Sequence, residues 1–413
     1  MFPFTIAWRN LWRNPLRTAI TGAAIALNTA TLIVTAGLIQ GMLDTLQHSL
    51  TATSLGEVQV HAPAYRAERK LRQTVGHPDA ILAAAAAAQI DATQRSFGAG
   101  LAAVGSKSSG AVFWGIEPAR ERAVFELPRQ IARGRFLADP GDAPAGHGEP
   151  AREVVLGAKL ASALEADVGS ELVAVVEAAD GSIGNDLFRV VGVLKTVSSD
   201  VDRSAALVSQ RDFSDLFATG GAVHEIALTA HGTRPAQALV EAVTAAAAGD
   251  EVATWRQLAP GPAQMSELFG AMTGVLALIF GLVASAGVMN TVLMSTFERT
   301  HELGVLKALG ATPLRVVRDI AAEALLLGVV FGAVGAALGA AASQYLAVVG
   351  IDLATGSDLM LSGVAFEPVW RARFSVEAIV GAAAFMATMS VLAALMPAIK
   401  AARLDPVAAM NEP

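Results

Sequence analysis

The chain alternates between long apolar runs and stretches of mixed polarity, and the length of the apolar runs is what carries meaning. Thr18–Leu43, Leu268–Ser295, Ile320–Leu346 and Val376–Leu395 each reach the ~17–25 residues that a helix needs to cross a bilayer. Between the first two runs the pattern changes. Short apolar stretches alternate there with turn residues, as they do in a water-exposed domain. The pattern predicts an α-helical membrane protein with four transmembrane helices plus a large extracytoplasmic α+β domain between the first and second helices. The expected divisions are an interfacial helix at 1–17, spans at 18–43, 263–297, 313–347 and 375–397, and the outer domain at 44–262. A short charged helix at 298–312, an outer loop at 348–374 and a tail at 398–413 complete the chain.

Strand-like runs in the outer domain are Glu57–His61, Ala111–Ile116, Glu153–Gly157, Leu172–Glu177, Leu187–Leu194, Ala205–Ser209 and Glu225–Thr229. Helical runs are Pro78–Ile90, Lys159–Ala166, Gln210–Phe217 and Pro235–Ala248. Asp180-Gly181-Ser182 reads as a hairpin turn, Asp139–Pro150 as a mobile loop, and Pro260-Gly261-Pro262 as a stiff joint before the second span.

Basic residues orient the spans. Arg9, Arg13 and Arg17 precede the first, Arg299, Lys307, Arg315 and Arg318 lie between the second and third, and Lys400 and Arg403 follow the fourth. Four crossings place all of these on one side, which is then cytoplasmic; Arg371 and Arg373 alone run against the trend. Phe4, Trp8 and Trp12 recur every four residues beside the arginines, the pattern of a helix lying in the interface, and Pro15 separates it from the span. The first apolar run is longer than the ~7–15 residues of a signal-peptide core, so it reads as a retained anchor.

Within the spans, Gly328, Gly332, Gly335 and Gly339 fall on one helical face and predict close helix packing. Glu323 is expected near the cytoplasmic interface, packed against a neighbour, and Asn290 is expected to bond another helix.

Composition agrees with a chain partly in lipid. Of its 413 residues 53% are hydrophobic and 16% charged, against about 25% charged in soluble domains. Mean hydropathy is +0.49. A net charge of −7 without a basic stripe argues against nucleic acid as a partner. The absence of cysteine excludes disulfides, thiolate metal sites, a cysteine nucleophile and lipid modification of a cysteine. The 7 histidines are scattered without an HExxH pattern, so no metal is expected. Gly100–Ser108 comes close to a phosphate-binding loop, but Ser106 stands between Gly105 and Lys107. Leu361-Ser362-Gly363 is only a fragment of an ATPase signature. No nucleophile elbow is present. The chain is therefore expected to be non-catalytic and to carry no cofactor.

The most informative segment is Thr296–Thr312, TFERTHELGVLKALGAT. Thr300 offers a helix cap, Glu302 an acid in the first turn, Lys307 a base in the last, and Gly310 a left-handed stop. Thr312-Pro313 reads as the cap and first residue of the next helix. ERTHELGVLKALGA closely resembles the motif after the second span in ABC permeases of the lipoprotein-releasing, macrolide-exporting and cell-division family. AWRNLWRNPLRTAITG (Ala7–Gly22) and PAIKAARLDPVAAM (Pro397–Met410) resemble the same family. The resemblance implies that this segment is a coupling helix. Its ATPase-facing residues would be Glu298, Arg299, His301, Glu302, Leu303, Gly304, Val305, Leu306, Lys307, Ala308, Leu309 and Gly310.

It further implies two copies of an ABC ATPase that bind ATP and Mg, a second permease (identical or paralogous), and an outer domain of two subdomains. The location would be the bacterial inner membrane with a periplasmic domain. Within the family, GEVQVHAPAYR (Gly56–Arg66) and the segment Gly169–Thr196 are most similar to the lipoprotein-releasing branch. That branch implies a lipoprotein substrate, a possible periplasmic carrier, contact with membrane lipids, and an apolar path along the first two spans. Export of a peptide, toxin or drug stays open, since Thr21, Asn28, Thr31 and Thr35 form a mild polar stripe on the first span. A non-transporting scaffold that regulates an outer hydrolase is a further alternative.

Overall fold

Prolines open three of the four long helices. The computed structural model describes residues 8, 9, 13–139, 152–352, 359–361, 364–366 and 369–404. Its long helices are Pro15–Leu50, Pro260–Glu298, Pro313–Val349 and Val376–Ala402, each long and apolar enough to cross a membrane. Proline suits a first helical position because its missing N–H would be unpaired there anyway. Pro260-Gly261-Pro262 is thus the first turn of the second helix, not the joint expected from the sequence. Thr312 caps the third helix by accepting the amide of Arg315, and Ser375 caps the fourth by accepting that of Ala378. Gly350, at φ +72°, stops the third. The fourth helix passes through Pro397 and ends at Ala402 rather than 397, because Ala398, Ala401 and Ala402 are buried in a core with Leu303, Val316 and Ile320. The first runs past Leu43 to Leu50 and then loosens into one π-helical turn, Thr51–Leu55. Phe4, Trp12 and 140–150 lie outside the described residues, as do Ser362 and Gly363.

The chain forms two compact units. One comprises Met1–Leu43, Ser266–Ala354 and Val369–Pro413; the other comprises Asp44–Met265 and Thr355–Pro368.

In the first unit the glycine face of the third helix serves two neighbours. A Cβ at Gly335 would stand 2.4 Å from the Ala26 carbonyl oxygen, and one at Gly339 would stand 3.0 Å from Ala30 Cα, both on the first helix. A Cβ at Gly328 would lie 2.7 Å from Ala387 Cα on the fourth helix, whereas at Gly332 the nearest atom, the Ala383 carbonyl oxygen, is 3.6 Å away. Small residues let backbones touch, which is how helices associate where no hydrophobic effect separates protein from lipid.

The second unit is built on a mixed sheet. Its strands are β1 (Val58–His61), β2 (Asp91–Val104), β3 (Lys107–Ile116), β4 (Ile131–Gly134) and β5 (Arg152–Leu156). β6 (Glu171–Glu177), β7 (Ile183–Leu194), β8 (Ala205–Ser209), β9 (Glu225–Thr229) and β10 (Glu251–Thr254) follow. The order is β10-β1-β9-β2-β3-β8-β5-β7-β4, with β6 pairing β2 and β7. β3 with β8 and β5 with β7 are parallel; the other pairs are antiparallel. Gly181, at φ +86°, turns β6 into β7, and Asp180 accepts the Ser182 amide and hydroxyl at 2.9 and 2.7 Å. The phosphate-loop lookalike is a β2–β3 hairpin: Val104 pairs with Lys107 around Gly105-Ser106, and the Lys107 ammonium meets Glu165 at 3.1 Å.

His224, fully buried, fixes one seam of this unit. Its Nδ1 accepts the Phe97 amide at 3.1 Å and its Nε2–H donates to the Leu71 carbonyl at 2.9 Å. The Tyr65 ring stacks on it at 5.3 Å. Only a neutral imidazole can accept at Nδ1. Burial pushes its pKa below the ordinary value, partly opposed by the Leu71 bond. With the folded-state pKa depressed, the contribution to stability is complete above about pH 6.5, the unfolded value, and is lost as pH falls through the folded value. Thermal melts from pH 7.5 to 5 should show the domain weakening below that point, and His224→Gln should flatten the slope. An unchanged slope in the variant would remove His224 as its source.

A candidate docking helix and its ionic frame

Thr300–Ala308 forms a short helix between the second and third long helices, entered at Arg299 and left through Gly310, whose φ is +96°. Thr300 does not cap it. Its hydroxyl instead donates back to the Thr296 and Phe297 carbonyls at 3.3 and 2.9 Å, closing the end of the second helix. Glu298 is the last residue of that second helix.

Helical spacing splits the segment into two faces. Thr300, Leu303 and Gly304 are buried and Lys307 is half-buried; His301, Glu302, Val305, Leu306, Ala308, Leu309 and Gly310 are exposed. Of the residues expected to face an ATPase, Leu303 and Gly304 are buried within this chain. Leu303 belongs to the core shared with Val316 and Ala398, and Lys307 donates to the carbonyls of Ala402 (2.9 Å) and Leu404. Those carbonyls sit at the C-terminal end of the fourth helix, where cations are favoured. What remains outward is an apolar edge of Val305, Leu306 and Leu309, the last 81% exposed.

Ion pairs hold this helix against the start of the first. Arg13 Nη1 donates to Glu302 at 2.8 Å, Arg17 Nη2 to Glu298 at 2.6 Å, and the Asn14 amide to Glu298 at 2.9 Å. Arg299 links Glu302 at 3.2 Å to Glu323 at 3.5 Å. The Arg13 hydrogen bond lowers the Glu302 carboxyl against the opposing effect of burial, and Arg299 adds to the lowering. The carboxylate is therefore charged at any physiological pH. From the sequence, Arg13 and Arg17 served as topological markers and as the basic side of an interfacial helix, with no acidic partner assigned. Their spacing of four residues, matched by that of Glu298 and Glu302, was the legible sign of two complementary pairs. Glu323 sits beside Arg299, packed against a neighbour as expected. Asn290 is exposed, and its side chain makes no hydrogen bond among the described residues.

Two members of the polar stripe on the first helix, Thr21 and Asn28, have hydrogen-bond partners. The Thr21 and Thr291 hydroxyls bond at 2.5 Å, and the Asn28 amide donates to the Ala24 carbonyl at 2.8 Å. Between the starts of the first and third helices, the end of the second and the short helix lies a cavity of about 360 Å³.

Comparison with known proteins gives two family matches. A model described as MacB-like periplasmic core domain matches residues 18–246, and one described as FtsX-like permease C-terminal matches residues 274–406. The Pyoverdine export ATP-binding/permease protein PvdT of Pseudomonas fluorescens Pf-5 is 26% identical over 429 residues, covering 98% of this chain and 58% of that protein. Its counterpart in Pseudomonas fluorescens Pf0-1 is 28% identical over 416 residues, with the same coverage. The chain thus spans about 58% of the length of these curated relatives. Among solved structures, the periplasmic region of MacB from Actinobacillus actinomycetemcomitans aligns with 48% of this chain and 87% of its own, at TM-score 0.34 and 15% identity. With one family model covering more than half of the chain and the second running from within the second span past the fourth, the protein belongs to the ABC-transporter permeases of the MacB and FtsX type, multi-pass proteins of the bacterial inner membrane with a periplasmic domain.

Proposed function

We propose that this chain is the membrane-spanning component of an ABC exporter and that Thr300–Ala308 is its coupling helix, docked on an ATPase at the cytoplasmic face. ATP and Mg belong to that ATPase, and two permeases act together. The observation that carries the reading is the outward apolar edge of Val305, Leu306 and Leu309 on a helix otherwise framed by charge. An exposed apolar helix edge suits a groove on a protein partner. The docking set narrows to His301, Glu302, Val305, Leu306, Ala308 and Leu309. Glu298, Arg299, Leu303, Gly304 and Lys307 act from behind, by fixing how the helix is held.

Export is favoured over lipoprotein release because the relatives described above are named for pyoverdine export. A secreted product of that kind is the first substrate to test. Deleting the gene should deplete the product from culture supernatant while outer-membrane lipoproteins are sorted normally. Lipoproteins stranded in the inner membrane would reverse the choice.

Leu309→Glu tests the docking edge. Because the side chain is exposed, folding should be unaffected, while a charge in an apolar groove should weaken ATPase copurification at least tenfold, about 1.4 kcal/mol. Lys307→Ala should instead lower the melting temperature through the fourth helix. Copurification of Leu309→Glu at the wild-type level would sink the assignment.

A further inference from the structure

We infer that the 360 Å³ cavity in the membrane unit holds an anionic phospholipid, with Arg315 as the cation for its phosphate. The acids on the cavity wall are already engaged. Glu298 is bonded by Arg17 and Asn14, Glu323 by Arg299, and Asp319 lies 3.9 Å from Arg318. Arg315 is different. It lines the same cavity, its side chain is exposed, and among the described residues its guanidinium has no acidic partner. A guanidinium offers phosphate two parallel N–H donors, so it orients as well as attracts the anion.

The walls say that the anion carries a hydrocarbon chain. From Arg315 the cavity follows the third helix past Ile320 to Leu327, roughly 18 Å along the axis at 1.5 Å per residue. Ile320 and Leu327 are buried, and Val292 faces them from the second helix. A charged mouth at the level where the helices begin, above an apolar wall three turns deeper, is the profile of an amphiphile standing in a bilayer leaflet. Basic pockets between transmembrane helices are general sites for anionic headgroups. The volume is at the small end of the ~300–1,000 Å³ typical of ligand pockets, enough for a headgroup and the upper part of one chain. Inorganic phosphate would satisfy Arg315 but leave the apolar wall without a role.

The test uses the full-length protein in lipid nanodiscs. Phosphatidylglycerol retained after transfer to detergent is counted by native mass spectrometry, from discs of phosphatidylcholine alone or mixed with phosphatidylglycerol. Wild type should retain phosphatidylglycerol in preference to phosphatidylcholine. Arg315→Gln should lose about tenfold of that retention at an unchanged melting temperature. Arg403→Gln, which removes a cation from the end of the fourth helix outside the cavity, should retain the lipid like wild type. Ile320→Trp, which fills the apolar wall, should also release the lipid. Equal retention of the two lipids, or equal loss in Arg315→Gln and Arg403→Gln, would overturn the proposal. Displacement of phosphatidylglycerol by millimolar inorganic phosphate would overturn the choice of a lipid over a free anion.

Discussion

Replacing Arg95 by methionine is expected to destabilise the periplasmic domain by about 3–5 kcal/mol, the usual cost of removing one member of a buried ionic cluster. Arg95 is 1% exposed and Glu121 is fully buried; their side chains meet at 2.5 Å, and a second guanidinium nitrogen meets Glu225 at 3.2 Å. The two carboxylates outweigh the effect of burial and hold the guanidinium above its ordinary pKa. The guanidinium also stacks 4.0 Å from the Phe125 ring and donates to the carbonyl of Ser54 in the π-helical turn. Methionine would match the stem of the side chain but leave Glu121 and Glu225 in a dry interior without a cation. At ~2–4 °C per kcal/mol for a domain of this size, the melting temperature should fall by about 10 °C. The triple variant Arg95→Met, Glu121→Leu, Glu225→Leu should recover much of the loss, since an apolar replacement of a whole buried cluster is often neutral. A melting temperature in Arg95→Met within 2 °C of wild type, or a triple variant no better than the single, would show that the cluster does not support the fold.

The second large effect belongs to Gly335. Leucine there would drive a side chain into the backbone of the first helix, where a Cβ alone would stand 2.4 Å from the Ala26 carbonyl oxygen and 2.8 Å from its Cα. Backbone cannot yield as a flexible side chain does, so the two helices must separate and lose their contact along Ala26–Ile33. Overpacking of this kind costs about 1–3 kcal/mol or more in a core. Gly332→Ala is the matched control on the same face. Its Cβ would reach only ordinary van der Waals distance, and alanine gains up to ~1 kcal/mol in helix propensity over glycine. Melts in detergent should therefore rank Gly332→Ala at or above wild type and Gly335→Leu well below it. The reverse order would mean that the third helix does not approach the first as closely as described.

The membrane half of this fold was legible because lipid simplifies the code: a helix must be apolar and long, and glycine spacing marks contact. The sheet was less legible, and β2 shows why. Asp91–Val104 is rich in alanine, glycine and polar residues with little β propensity, yet it is a central strand bonded to β3, β6 and β9. Its glycines are there for close approach, not for turning. A Cβ at Gly98 would stand 2.3 Å from the Phe217 ring. Such a strand is specified by partners distant in sequence, which no local pattern reports. The short helix was found by its motif, but its two faces were not separable, because Leu303 is buried against a fourth helix nearly a hundred residues later. Arg95, the most consequential side chain in the domain, gave no local sign at all.

The π-helical turn at Thr51–Leu55 constrains the length of the chain more tightly than its chemistry. A π turn holds one residue more than an α turn, and here the surplus ends where the Ala52 carbonyl accepts the Glu126 amide at 2.8 Å and the Ser54 carbonyl accepts Arg95. Deleting a single residue would restore regular winding and carry every later carbonyl about 100° around the axis. Substitutions in TATSL that keep the backbone are tolerable on this account, whereas an indel is not. Descendants of this sequence should therefore vary in the letters of the segment while conserving its count.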